Sequence, residues 1–217
     1  MNKRTGAVSL PVLVGITGGL GSGKTTVCTM LEAMGCSVFE ADRVARELQL
    51  NDPEVIEGIR RMFGEDVYSS DASGKLLLDR QRIAQQVFKD PSTLKMLNEL
   101  IHPKVFKAFR DAVHQAAGDG VRIFLKEAAI LLESGGDKGL DILVVVASDL
   151  ERRVQRAMKK GMGSREEIQR RIEAQWPQEK LVERADYVIE NNGSIEDLEI
   201  RVRALYQDIL NQAASFR

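Results

Sequence analysis

Apolar residues fall along this chain in two kinds of pattern, and the two alternate. Val12-Leu13-Val14-Gly15-Ile16, Val121–Leu125 and Ile142–Ala147 are apolar runs of strand length, and Ser37-Val38-Phe39 and Tyr187–Ile189 are shorter ones. Runs without polar alternation suit parallel strands covered on both faces. Between them, apolar positions recur at helical spacing. Val27, Met30, Leu31 and Met34 mark a helix that Gly35 stops. Leu198, Val202, Leu205, Ile209 and Leu210 mark a last helix, opened by the capping pattern Ser194-Ile195-Glu196-Asp197. Strands alternating with helices predict an α/β fold, a doubly wound parallel sheet of about five strands whose ligands bind beyond the strands' carboxyl ends.

Two stretches interrupt the alternation. Residues 44–119 hold no convincing strand and several amphipathic helices. One is marked by Val55, Ile56, Ile59, Met62 and Phe63, and a second, opened by Asp79, by Ile83, Val87 and Phe88. A third, marked by Leu94, Leu97 and Ile101, is ended or kinked by Pro103, and Val105, Phe106, Phe109 and Val113 mark a fourth. Ser69–Gly74 reads as an exposed loop. The second stretch, residues 150–184, is a helical pair joined by Gly161-Met162-Gly163; Ser164 and Glu167 form a capping box and Pro177 closes the pair. The expected organisation is a core of residues 11–43, 120–149 and 185–217, with a helical insert at 44–119 and a helical lid at 150–184.

The most specific chemistry lies between the first strand and the first helix. Gly18-Gly19-Leu20-Gly21-Ser22-Gly23-Lys24-Thr25 is a complete G-x-x-x-x-G-K-[ST] loop. Glycines let successive backbone N–H groups converge on one anion, and the helix start adds unpaired donors and a partial positive charge. Gly21, Ser22, Gly23, Lys24, Thr25 and Thr26 therefore form a nucleoside triphosphate cradle. Lys24 reaches the β- and γ-phosphates, and the Thr25 hydroxyl is the metal ligand for Mg²⁺.

Composition narrows the partners. A chain of 217 residues can bury one sizeable core, and a formal charge of −1 offers no global attraction for nucleic acid or an anionic membrane. Met1-Asn2-Lys3-Arg4 superficially looks like a signal peptide, but the apolar residues that follow are the first strand and run straight into the loop. Cys28 and Cys36 make no disulfide framework and read as small core residues in a reducing compartment, so the cytoplasm is expected.

Basic and acidic residues suggest a transferase. Arg152, Arg153, Arg156, Lys159 and Lys160 crowd one helix with only Glu151 to offset them, whereas Arg170 and Arg171 have i−4 partners in Glu166 and Glu167. Unpaired arginines on a mobile hairpin suit a lid that neutralises a transferring phosphoryl group; a solvated surface is the alternative. Arg156, mid-helix, is the leading candidate. Asp42, just past a strand end, is either a general base or the cap of the next helix. Glu127 and Glu133 follow the third strand and either approach the metal or face water. His102 and His114 carry less promise. No Asn-Lys-x-Asp motif of a GTP switch is present, and no apolar strand ends in Asp-Glu as in a motor-like ATPase. Size, insert and basic hairpin favour a small-molecule kinase.

An ordered set of strings then resembles the dephospho-coenzyme A kinases. It comprises Ile16–Val27, Glu40-Ala41-Asp42-Arg43-Val44-Ala45-Arg46, Phe63-Gly64, Leu78-Asp79-Arg80, Ile101-His102-Pro103, Ala129–Glu133 and Ala185–Gly193. The resemblance spans about residues 12–210. It implies transfer of the ATP γ-phosphate to the ribose 3′-hydroxyl of dephospho-CoA. It also implies Asp42 as catalytic base, Arg46 as a substrate contact, Asp79, Arg80 and His102 in the substrate domain, Arg156 in the lid, and Asn191, Asn192 and Gly193 near the adenine. The chain departs from the family pattern at Glu40, where a first aspartate is usual, at Ala129 in place of a proline, and at Lys160 in place of a second lid arginine. The alternatives are another nucleotide- or metabolite-directed P-loop kinase and a nucleotide-gated binding protein with slow hydrolysis.

Overall fold

A computed structural model describes residues 10–215; Met1–Arg4, the stretch that looks like a signal peptide, lies outside them. The chain divides into two compact units, one of Ala41–Arg110 and the other of the residues up to Glu40 and from Asp111 onward.

The larger unit is built on five parallel strands: β1 (Val12–Thr17), β2 (Ser37–Glu40), β5 (Ile123–Glu127), β6 (Ile142–Ala147) and β7 (Tyr187–Glu190). Their order is β2-β5-β1-β6-β7. Central β1 pairs with both β5 (Val14 opposite Leu125) and β6 (Ile16 opposite Val144). Every residue of β6 is buried, which accounts for its unbroken apolar run. Helices α1 (Lys24–Ala33) and α9 (Ile195–Ser215) pack their apolar stripes on this sheet. Val27 and Leu31 of the first meet Val202, Leu205 and Ile209 of the second in one core with Val14, Ile16 and Leu125. Ser194 caps α9 as its pattern implies, accepting from Asp197 N at 3.1 Å while its own N–H donates to the Asp197 carboxylate.

Between β6 and β7 stand α6 (Leu150–Lys159), α7 (Arg165–Glu173) and the short α8 (Gln178–Val182). The capping box of Ser164 and Glu167 forms at the start of α7. That box changes the charge pairing expected of the hairpin. Glu167 turns back to the Ser164 N–H and Glu166 to its hydroxyl, both at 2.8 Å, while Arg171 donates to the Met162 carbonyl. The pairs Arg170–Glu166 and Arg171–Glu167 therefore do not form. Pro177 opens α8 rather than closing α7, which ends at Glu173.

The smaller unit contains α2 (Ala41–Asn51), α3 (Pro53–Phe63), the hairpin strands β3 (Tyr68–Ser70) and β4 (Leu76–Leu78), α4 (Arg80–Lys89) and the first part of α5 (Pro91–Gly118). Two expectations are corrected here. Residues 69–74 are not simply a loop: Tyr68–Ser70 and Leu76–Leu78 pair antiparallel, and the Asp71 carboxylate holds the turn through Ser73 and Lys75 N–H groups. The helices expected on either side of Pro103 are one helix, α5, with the proline inside it. Leu97, Ile101, Val105, Phe109 and Val113 are all buried, so one apolar face runs past the proline. That burial outweighs the missing N–H bond to the Glu99 carbonyl. Of the residues marking α4, Ile83 is buried; the side chain of Phe88 lies outside those described. Among the described residues, no helix is long and apolar enough to cross a membrane.

Candidate active site

The phosphate loop connects β1 to α1, at the carboxyl end of the central strand, where a doubly wound sheet binds its ligands. Its backbone turns through positive φ at Gly21 (78°) and Gly23 (103°) before the helix starts at Lys24. No side chain caps α1, so its first N–H groups face the loop as donors for an anion. Lys24 is buried, and its ammonium donates to the Gly18 carbonyl at 2.8 Å and the Gly19 carbonyl at 3.4 Å. The Ser22 hydroxyl is buried with no hydrogen-bond partner, an unused donor inside the loop. An orphan donor beside helix-start N–H groups is the chemistry that a phosphate oxygen satisfies.

Thr25 is exposed, and its hydroxyl donates to Glu127 Oε1 at 3.5 Å, at the end of neighbouring β5. Of the two carboxylates considered for this position, Glu127 comes to Thr25, whereas Glu133 accepts the Trp176 N–H at 3.1 Å. A hydroxyl and a carboxylate oxygen side by side suit Mg²⁺, a hard cation that completes its shell with waters and phosphate oxygens. Among the described residues, no group of three or more His, Cys, Asp or Glu side chains is placed to hold a metal.

The end of β7 meets the loop from the other side. Asn191 Nδ2 donates to the Ser22 carbonyl at 2.8 Å, in the space that a Cβ on Gly23 would need. Arg156, on α6, reaches the same place. Its guanidinium donates to the Asn191 carbonyl (3.0 Å), Asn191 Oδ1 (3.2 Å), Ser148 Oγ (3.1 Å) and the Ser22 carbonyl (3.5 Å). Burial and the nearby Arg152 charge lower the Arg156 pKa. Asn192 ties the end of β6 to that of β7: its Oδ1 accepts from Ser148 Oγ and Asp149 N, and its Nδ2 donates to Asp149 Oδ1. The side chains of Asn191 and Asn192 are thus engaged by loop and strand ends. Gly193 follows them before α9.

Sequence reasoning missed three further contacts. Arg153 Nε donates to the Leu20 carbonyl at 3.0 Å, Gln175 Oε1 accepts the Leu20 N–H at 2.8 Å, and Gln178 Oε1 accepts the Ser148 N–H at 2.9 Å. Each acts on a backbone group, for which spacing along the chain gives no signal. Of the rest of the basic helix, Arg152 lies 3.8 Å from the Asp149 carboxylate, an exposed pair.

The remaining candidates belong to the smaller unit. Asp42 lies inside the first turn of α2, which starts directly after β2, rather than at the N-cap position. Arg46 and Arg80 wall one cavity of about 300 Å³ together with Arg43, Lys75 and Glu47. Arg80 donates to the Arg46 carbonyl at 3.4 Å, and Glu47 pairs with Arg43 at 2.8 Å. Asp79 is a helix cap, accepting from Arg82 N at 2.9 Å at the start of α4. His102 is half-buried on α5, its ring 6.0 Å from that of Phe106. Neither Asp79 nor His102 lines the basic cavity. Both cysteines are buried, and burial raises their pKa values, that of Cys36 to about 12, so neither is a nucleophile at neutral pH.

Comparison with known proteins places this geometry. Residues 12–197 match the model of the dephospho-CoA kinase (CoaE) family. A dephospho-CoA kinase of Chlorobaculum tepidum is 57% identical over 201 residues, 93% of this chain and 96% of the relative. One of Salinibacter ruber is 39% identical over 193 residues, 89% of this chain and 95% of the relative. Among solved structures, TT1252 from Thermus thermophilus is similar at a TM-score of 0.78 and 35% identity, covering 92% of this chain and 98% of that one. The dephospho-CoA kinase from Campylobacter jejuni, at 22% identity and a TM-score of 0.67, shares the fold over 92% of this chain and 98% of its own. With a family match over most of its length and a complete phosphate loop at the head of β1, the chain belongs to the dephospho-CoA kinase family.

Proposed function

We propose that this kinase transfers the γ-phosphoryl group of ATP to the ribose 3′-hydroxyl of dephospho-CoA, giving coenzyme A and ADP. The observation that carries the reading is the match over residues 12–197 combined with a phosphate loop whose donors are in place. Gly21 to Thr26 cradle the β- and γ-phosphates, and Lys24 leaves its loop carbonyls to meet them. Asp42 takes the proton of the 3′-hydroxyl as its oxygen forms the bond to γ-phosphorus and the bond to the β–γ bridging oxygen breaks. Arg156 spreads its planar fork over the charge that develops on the transferred group. Thr25 and Glu127 would hold Mg²⁺, which neutralises phosphate charge when bound.

Arg46 and Arg80 are assigned to the acceptor, supported by their shared basic cavity in the smaller unit. His102 is kept as an acceptor-side candidate on α5. The role of Asp79 is to cap α4 behind Arg80. Asn191, Asn192 and Gly193 are assigned to the adenine side, with Asn191 acting through the loop. The use of ATP and two free, buried cysteines in place of a disulfide framework favour the cytoplasm as the site of the reaction. An acceptor screen tests the function: dephospho-CoA, adenosine nucleotides and pantetheine compounds are each offered with ATP and Mg²⁺. ADP release that requires dephospho-CoA supports the proposal. Release driven by another acceptor makes the protein a different P-loop kinase, and slow release without any acceptor makes it a nucleotide-gated binder.

A further inference from the structure

The helical hairpin between β6 and β7 holds one residue of the phosphate loop on every side. Leu20 packs its side chain against Val154, Ala157 and Ile168, a small core of α6 and α7 that is separate from the sheet. Its N–H donates to Gln175 Oε1 at 2.8 Å, beyond the end of α7. Its carbonyl accepts from Arg153 Nε at 3.0 Å, on α6. Both polar groups of the Leu20 residue are therefore taken by side chains from opposite ends of the hairpin. Gln175 is itself anchored, because its Nε2 donates to the Ala129 carbonyl at 3.3 Å in the segment after β5.

Arg153 is an unfavourable residue to place there. It is only 6% exposed, and burial lowers its pKa. Glu179 is felt electrostatically, but among the described residues no carboxylate lies within ion-pair distance of the guanidinium. A buried cation without a paired anion is costly, so packing alone does not explain an arginine at this position. Its location does. The guanidinium fills the space that a Cβ on Gly19 would occupy, and the backbone of Arg153 closes on Gly21, whose φ is +78°. The loop is thus shaped against Arg153 on both sides of Leu20.

We propose that Arg153 and Gln175 are positioning residues that clamp Leu20 from its two polar sides and so fix the first half of the phosphate loop in its ATP-binding shape. Neither needs to touch the transferred phosphoryl group. The clamp sets how well Gly21 and the residues after it present their N–H groups to the β-phosphate, and thus how tightly ATP binds. The inference rests on the loop holding ATP, as proposed above, but not on the identity of the acceptor.

The test separates ATP binding from turnover in Gln175→Leu, Arg153→Met and the double variant. Calorimetry with a non-hydrolysable ATP analogue and Mg²⁺ reads binding without any acceptor, so a wrong assignment of dephospho-CoA leaves this arm intact. Each single variant is expected to weaken the analogue by about 5- to 10-fold, the scale of one lost hydrogen bond. KM for ATP should rise in step while kcat at saturating ATP and KM for dephospho-CoA stay within about threefold of wild type. The double variant should fall well short of the product of the singles, because a residue released on one side has little left to lose. Arg153→Lys keeps the charge and loses the Nε donor; it should show the same weakening and serves if Arg153→Met does not fold. Analogue affinity within about twofold of wild type in Gln175→Leu and Arg153→Lys overturns the clamp. So does a parallel rise of both KM values, which marks general damage, or full multiplicativity in the double variant, which marks two independent contacts.

Discussion

Asn191 Nδ2 and the Ser22 carbonyl, 169 residues apart in sequence, lie 2.8 Å from each other, and the Asn191 oxygens in turn accept from Arg156. One side chain therefore ties the phosphate loop to the arginine that reaches over it. Asn191→Ala leaves Arg156 with the Asn191 backbone carbonyl and Ser148 Oγ, and leaves the Ser22 carbonyl with its longer 3.5 Å contact to Arg156. Losing buried hydrogen bonds costs about 1–3 kcal/mol. We expect a melting temperature lower by several degrees and a kcat/KM for ATP lower by about tenfold. Wild-type kinetics in a destabilised protein would show that Asn191 only holds the fold.

Lys24→Ala removes an ammonium that already lies within the loop, against the Gly18 carbonyl. The fold should persist. Turnover should fall by about 10²–10³, the usual loss for one preorganised electrostatic contact. Circular dichroism and steady-state rates on the same sample check both parts, and near-normal turnover would remove the loop from the reaction.

Asp42→Asn discriminates between base and helix support. Asp42 sits in the first turn of α2, where a carboxylate favours the positive helix end by about 0.3–1 kcal/mol. Asparagine loses that small term and cannot accept the proton. The expected result is a kcat lower by about 10²–10⁴ with dephospho-CoA binding little changed. A large drop in melting temperature with high residual activity would reverse the assignment.

Much of the fold and of the site is legible in the amino-acid sequence, and the reasons why the rest is not are physical. The five strands of the sheet hold short apolar runs, and those of β1, β5 and β6 are buried almost throughout, so such runs stand out. The β3–β4 hairpin does not, because its strands have three residues each and Ser69 and Ser70 point to solvent. Pro103 reads as a breaker, yet Ile101, Val105 and Phe109 keep a four-residue repeat across it, and that repeat is the better guide. Lys24, Thr25 and Arg156 are legible because their side chains carry the chemistry. Arg153 and Gln175 act on the main chain of Leu20, and a contact to a peptide group has no complementary residue to find.

Lys126 offers a test of stability rather than catalysis. It is 3% exposed on β5, donates to the Gly136 carbonyl at 2.7 Å, and burial pushes its pKa down from the ordinary 10.5 to about 8. The folded state thus binds its proton less tightly than the unfolded chain. Between pH 8 and 10.5 the unfolded state holds more protons at this site, so its contribution to stability rises with pH through that window. The penalty is fully present below about pH 8. Urea midpoints of wild type and Lys126→Met at about pH 7.5 and about pH 9.5 isolate the term: the advantage of wild type over the variant should grow at the higher pH. An unchanged difference would mean that Lys126 keeps its proton throughout.

Arg156→Lys tests the lid assignment against its own charge. Arg156 satisfies four oxygens with one planar group, and an ammonium on a single stem cannot span Ser148 Oγ and both Asn191 oxygens. Charge is retained, so a loss of activity reports geometry. We expect kcat to fall by about tenfold or more, since a hydrogen bond from a charged group is worth about 1.5–3 kcal/mol. Arg170→Ala is the control. Arg170 is exposed on α7, and Glu166 accepts from the Ser164 hydroxyl instead of pairing with it, so no ion pair is lost with Arg170. Its removal should change kcat, KM and melting temperature very little. If Arg170→Ala costs more activity than Arg156→Lys, the face of the hairpin that serves the phosphates is that of α7, and the contacts of Arg156 with Ser22 and Asn191 are purely structural.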